Sequence, residues 1–301
     1  MSVKIQDVLK YGNIEFLAKK AVEGFITGLH KSPYHGFSVE FAEHQQYNPG
    51  ESTRHIDWKV YARTDKLYTK EFEEETNLRC QLLIDVSSSM YYPSENKGKL
   101  LFSILSAASI AYMLQKQRDA VGLMTFSDEI ELMTAIKSSK SHLHGIYARL
   151  NQLINDQHTG QKSTNVAKTI HQIAIKLHKR SLVVIFSDMF DQYNADEVFQ
   201  SLQHLKHKKH EVLLFHVTDQ ATEMDFTFED RPHVFTDVET GKKVKVSPEQ
   251  VKTEYISQMN AFKKSLKLKC GQYKIDFIEA DINKGVDQVL MPYLVKRQRM
   301  R

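Results

Sequence analysis

From Arg79 onward the chain alternates short apolar runs with longer segments in which apolar residues return every three or four positions. The short runs are CQLLIDVS, AVGLMTFS, EIELMTAI, SLVVIFSD, EVLLFHVTD and YKIDFIEAD, and each predicts a strand. Most are apolar throughout, the pattern of parallel strands covered on both faces. EIELMTAI alternates polar and apolar residues and follows Ser127 and Asp128, a hairpin signal, so residues 129–136 are expected to form an antiparallel edge strand. Helical spacing fills the gaps over 97–116, 142–155, 165–178, 195–208, 248–268 and 283–296. Strands alternating with helices predict an α/β fold: a Rossmann-like, mostly parallel sheet with one antiparallel edge strand and helices on both faces.

The first 78 residues read differently. A helix is predicted over 14–27, followed by a stretch punctuated by Gly and Pro, which predicts short strands and turns. Residues 1–78 are therefore expected to form a small helix and β-rich extension, and residues 79–301 the α/β domain. Within that domain a hairpin insertion is expected near 232–247, turned at Thr240 and Gly241. The two β-rich pieces are expected to pair with each other beside the sheet.

Composition narrows the function classes. The chain has 301 residues, 41% of them hydrophobic, and a formal charge of +4 that includes 37 acidic residues. Such a mixed surface argues against a protein built to hold nucleic acid. The basic stretches HLKHKKH and VKRQRMR read as solvated helix ends. Cys80 and Cys270 sit in no Cys-x-x-Cys pair, which excludes a zinc or disulfide framework on this pattern. The N-terminal residues scatter charge through every turn and carry no signal-length apolar core, so a cytoplasmic location is expected. The longest apolar stretch, LLFSILSAASIAYML, is shorter than a bilayer span and reads as a buried helix.

Ligands of open α/β sheets collect where the loops leave the carboxyl ends of the strands. There the first strand delivers Asp85, Ser87 and Ser89, SLVVIFSD delivers Asp188, and the loop TGQKSTN offers Thr164, with Ser163 as the alternative in a shifted register. Carboxylate and hydroxyl oxygens without His or Cys suit a hard divalent cation: Mg²⁺ first, Mn²⁺ or Ca²⁺ as alternatives. Hydroxyl-rich coordination leaves such a cation electrophilic enough to take a further carboxylate from a partner. The competing reading is structural, because Asp and Ser after a strand commonly cap the next helix.

D-x-S-x-S after an apolar strand, with a distant Thr and a strand-terminal Asp, resembles the metal-ion-dependent adhesion site (MIDAS) of von Willebrand factor A domains, over residues 80–281. Upstream, Tyr47, Pro49, Gly50, Arg54, Ile56, Asp57 and Trp58 fall in register with the Y-x-P-G-D-x-x-R-x-I-D-W signature of the bacterial domain of unknown function 58 family. Glu51 departs from it where the signature has Asp. Together the resemblances imply a vWA-like domain whose Mg²⁺ captures an Asp or Glu of a partner protein. They also imply an adaptor that works with a MoxR-type AAA+ ATPase or its client. Tyr47, Arg54, Asp57, Trp58 and Arg63 are then either a partner surface or a structural ion-pair and packing cluster.

Enzyme motifs are missing. There is no G-x-S-x-G, no H-E-x-x-H among the 14 histidines, and GQKST lacks the first glycine of a phosphate loop. The alternative to a binding module is a metal-dependent phosphoester hydrolase with Asp191 as base.

Overall fold

The computed structural model describes residues 13–29, 44–46, 58–70, 78–94, 96–156, 166–178, 180–190, 195–238 and 241–291. Helix α1 (Ile14–Leu29) comes first. Its Ile14, Leu17, Ala18, Ala21 and Val22 recur at helical spacing and are buried. That stripe ties the helix to the α/β domain: Met1–Gly28 and Leu78–Arg301 form one compact unit, and Leu29–Asn77 a second. The single boundary expected after residue 78 is therefore replaced by two. In the second unit, β1 (His44–Gln46) pairs antiparallel with β2 (Tyr68–Lys70), and helix α2 (Trp58–Thr64) lies between them in sequence.

The large unit follows the alternating pattern. After β3 (Arg79–Asp85) come a 3₁₀ turn (Ser88–Tyr91), α3 (Gly98–Lys116), β4 (Ala120–Phe126) and β5 (Ile130–Met133). Then follow α4 (Lys140–Asn155), α5 (Val166–Lys176), β6 (Leu182–Ser187), α6 (Ala195–His207) and β7 (Glu211–Thr218). A π-helical turn (Gln220–Met224), β8 (His233–Thr236), β9 (Lys243–Val246), α7 (Pro248–Gln272) and β10 (Asp276–Asp281) complete the series. The sheet order is β10-β7-β6-β3-β4-β5, parallel except for β5, which runs antiparallel on the edge. The α/β expectation holds.

Burial explains the strand types. Every residue of β6 is buried, as are all but the first of β3, β4 and β7, because helices cover both faces. On β5 intermediate and exposed residues alternate, as an edge strand with one solvated face requires. Helix α3 is buried from Gly98 to Ala111, and its Ser103 and Ser109 hydroxyls donate to the carbonyls of Lys99 and Leu105, four residues back. Among the described residues it is the one helix long and apolar enough to cross a membrane, yet here it packs inside the domain.

Among the described residues the hairpin β8–β9 pairs within itself, as β1–β2 does; most of the first β-rich piece lies outside the described residues. Phe235 of β8 sits in an aromatic group with Phe226, Phe228 and His233, and Tyr255 of α7 joins it, tilted against Phe226. The order of the sheet also fixes where a ligand can sit. From β3 the chain moves outward to β4 on one side, and later to β6 on the other, so the topological switch lies between β3 and β6.

Candidate metal centre

The carboxyl ends of β3 and β6 stand level. Leu83 pairs with Ile185 and Ile84 with Phe186, so the same register puts Asp85 opposite Ser187, whose hydroxyl donates to Asp85 Oδ2 at 2.6 Å. Asp188 follows at once. Met189 then takes left-handed backbone, φ 52°, a strained choice for a bulky side chain, and its N–H donates to Ser187 Oγ at 2.9 Å. On the β3 side the amide of Ser87 donates to Asp85 Oδ1 at 2.9 Å. The hydroxyls of Ser87 and Ser89 lie 3.1 Å apart, and Ser89 also hydrogen-bonds Asp188. Four of the predicted ligands, Asp85, Ser87, Ser89 and Asp188, are thus joined in one hydrogen-bonded group. Ser87 precedes the 3₁₀ turn as its cap, but its side chain makes no capping bond, so the helix-cap reading does not account for the hydroxyl.

Charge makes the group unusual. Burial first, then the charge of Asp188, pushes the Asp85 carboxyl up to about 7. Burial would raise Asp188 as well, but the Lys99 ammonium outweighs it and holds this carboxyl below the usual carboxylate range. Lys99 is 1% exposed, and its Nζ donates to Asp188 Oδ2 at 2.8 Å and to Glu223 Oε1 at 2.6 Å. Burial pushes Glu223 up despite that partner. His216 on β7 is buried and pushed down to about 4, so it adds no positive charge near neutrality.

The donor set fits a hard dication. All its donors are oxygens, and the Ser87 and Ser89 hydroxyls already converge. With Asp85, Asp188 and Glu223 ionised, three negative charges face the one of Lys99, which leaves a deficit of two. Among the described residues no three His, Cys, Asp or Glu are grouped as a metal cage. Hydroxyls, backbone carbonyls or water would complete any coordination here.

Thr164, Ser163 and Asp191 lie outside the described residues, as do Tyr47, Arg54 and Asp57. Trp58 is 61% exposed on α2, edge-on to Tyr61, and Arg63 is exposed near the end of the same helix. The sequence reading missed Lys99, Ser187 and Glu223. A lysine in the first turn of a helix reads as solvated, so Lys99 gave no local signal, and Glu223 gave none either.

The family described as "Protein of unknown function DUF58" matches residues 43–265, well over half of the chain. Uncharacterized protein Mb1516 of Mycobacterium bovis and uncharacterized protein Rv1480 of Mycobacterium tuberculosis are each 22% identical over 206 residues. Those alignments take in 68% of this chain and 63% of each relative, so the chain spans less than two thirds of the relatives' length. Among solved structures, the conserved hypothetical protein BatB from Bacteroides thetaiotaomicron aligns with 74% of this chain and 99% of its own, at 11% identity and a TM-score of 0.43. A superposition that loose carries no functional argument.

Proposed function

Because the chain belongs to the DUF58 family, we propose that it is a metal-dependent protein-interaction module: a vWA-like domain whose MIDAS-type site holds Mg²⁺, with Mn²⁺ or Ca²⁺ as alternatives, and captures an Asp or Glu of a partner. The observation that carries this is the single hydrogen-bonded group of Asp85, Ser87, Ser89 and Asp188 at the topological switch of the sheet. Bound there, the cation supplies a Lewis-acidic point for one more carboxylate. Two hydroxyls and a shared negative charge leave that point electrophilic.

A single carboxylate on a cation gives modest affinity, so selectivity needs a wider surface of buried anchors. The separate unit Leu29–Asn77 carries exposed Trp58, Tyr61 and Arg63, aromatic and Arg side chains of the kinds that dominate interface energetics. The proposed setting is the cytoplasm, with a MoxR-type AAA+ ATPase or its client as partner and the ATPase supplying the mechanical work.

The test is capture of the ATPase or client by the full chain in Mg²⁺ and in chelator, beside Asp85→Ala. Capture is expected in Mg²⁺ alone and is expected to fail with Asp85→Ala. Capture that survives complete metal removal would place the contact elsewhere and overturn the reading.

A further inference from the structure

Lys99 is the buried positive charge of the site, and it is shared. Its Nζ lies 2.8 Å from Asp188 Oδ2 and 2.6 Å from Glu223 Oε1, and 5.9 Å from the centre of the Tyr92 ring. The ammonium has three donors and gives two of them to carboxylates on different elements, the loop after β6 and the turn after β7.

Glu223 is itself fixed. Its Oε2 accepts the amide of Asp219 at 2.8 Å. Asp219 accepts from the amide of Ala221, the hydroxyl of Thr222 and the side-chain amide of Asn283. These bonds brace the π-helical turn Gln220–Met224, an uncommon element that tends to mark functional sites. Phe226, two residues beyond, takes left-handed backbone at φ 46° and packs on Phe235 of the hairpin and Tyr255 of α7.

From this geometry we propose that Lys99 is the positioning residue of the cation site: it neutralises Asp188 in the metal-free protein and yields it toward Glu223 when a divalent cation binds. The proposal rests on the cation reading above and deepens it. Two carboxylates make the exchange feasible. An ammonium driven from its only partner would be left buried and unpaired, which is strongly unfavourable. Lys99 keeps a charge-assisted bond to Glu223 at either end of the movement. The same movement ties cation occupancy to the 220–224 turn and, through Phe226, to the aromatic seat of the β8–β9 hairpin.

Calorimetric Mg²⁺ titration of the metal-stripped full chain, as wild type, Lys99→Met, Glu223→Gln and the double variant, tests the proposal. Lys99→Met removes the internal competitor and should tighten Mg²⁺ binding by about tenfold, a common size for coupling between neighbouring sites. Glu223→Gln leaves Lys99 with Asp188 alone and should weaken binding by about as much. In the Lys99→Met background the Glu223→Gln effect should shrink to roughly threefold or less, a non-additivity that independent substitutions do not give.

Wild-type binding with equal affinities across the variants, or with strictly additive effects, overturns the role of Lys99 and leaves the cation site standing. No Mg²⁺ or Mn²⁺ binding by folded wild type removes the cation site and this proposal with it. Should Lys99→Met not fold without metal, Glu223→Gln decides: reduced stability with unchanged Mg²⁺ affinity means a structural ion pair only.

Discussion

Asp85→Asn probes the electrostatics of the site with the smallest change in shape. Asp85 is fully buried, and burial, then the charge of Asp188, raises its carboxyl from 3.8 to about 7 against the hydrogen bonds from Ser187 and Ser87 that lower it. Lys99 and Glu223 lie beyond Asp188. A folded-state pKa above the unfolded one means that the native protein holds more protons between those two values. Stability therefore falls as pH rises through that window, and the ionised Asp85 destabilises the metal-free protein above it. A rise of about three pH units, at roughly 1.4 kcal/mol each, sets a ceiling near 4 kcal/mol. Asparagine keeps the acceptor for the Ser87 amide and drops the charge, but it loses the acceptor for Ser187, a loss of about 1 kcal/mol. The metal-free variant should then exceed wild type by about 1–3 kcal/mol near pH 8, with the advantage gone near pH 4.

Urea unfolding followed by circular dichroism, in chelator and in Mg²⁺ across that pH range, reads both quantities. Mg²⁺ should raise the wild-type midpoint and leave Asp85→Asn unmoved, because only a state that binds ligand is stabilised by it. A variant less stable than wild type at about pH 8 without metal would refute the repulsion argument. Equal Mg²⁺ shifts in both proteins would refute the ligand assignment.

Three further outcomes are expected. Phe186 on β6 stacks on Phe215 of β7 with ring centres 4.8 Å apart and both buried, so Phe186→Ala should lower unfolding free energy by about 3–5 kcal/mol in urea melts. A Cβ at Gly122 would lie 2.7 Å from Gln81 Oε1 and 3.2 Å from the Ala135 carbonyl oxygen, which belongs to backbone that cannot swing aside, so Gly122→Ala should cost about 1–3 kcal/mol in the same assay. His210 is buried, accepts the Ser181 amide at Nδ1 and faces His204, Lys206 and Lys208; burial first and those charges next hold it below the ordinary histidine range. Its share of stability is present above the unfolded histidine pKa and is lost as pH falls through the folded one, at no more than about 1.4 kcal/mol per pH unit. His210→Asn should flatten the acid limb of the stability profile, and an unchanged limb would show that another group titrates there.

What the sequence made legible follows from the range of the interactions involved. Buried parallel strands announce themselves because every residue must be apolar, and a helix packed in the core does the same, so 97–116 was expected and Gly98–Lys116 is found. Helix α7 runs on to Gln272, past the expected end at 268, because Cys270 continues the stripe of Leu266 into the core while Lys267 and Lys269 mask it in the sequence. The N-terminal helix was assigned to the wrong neighbour for a related reason: its stripe says that it must be covered, but not by what.

Asp85, Ser87, Ser89 and Asp188 were legible because each stands at or just past the end of a strand, and strand ends in this topology share one edge. Lys99 and Glu223 were not. A lysine in the first turn of a helix reads as solvated, since only a specific counter-charge makes its burial tolerable. Its partners lie 89 and 124 positions away in the chain, and no local period connects them. Local pattern therefore locates the oxygen groups proposed as ligands, whereas the charge that balances them emerges only once the loops after β6 and β7 meet the start of α3. On the proposed exchange, the same separation lets that charge adjust: a counter-ion delivered by a different element moves without disturbing the strand ends that hold Asp85 and Ser187 in register.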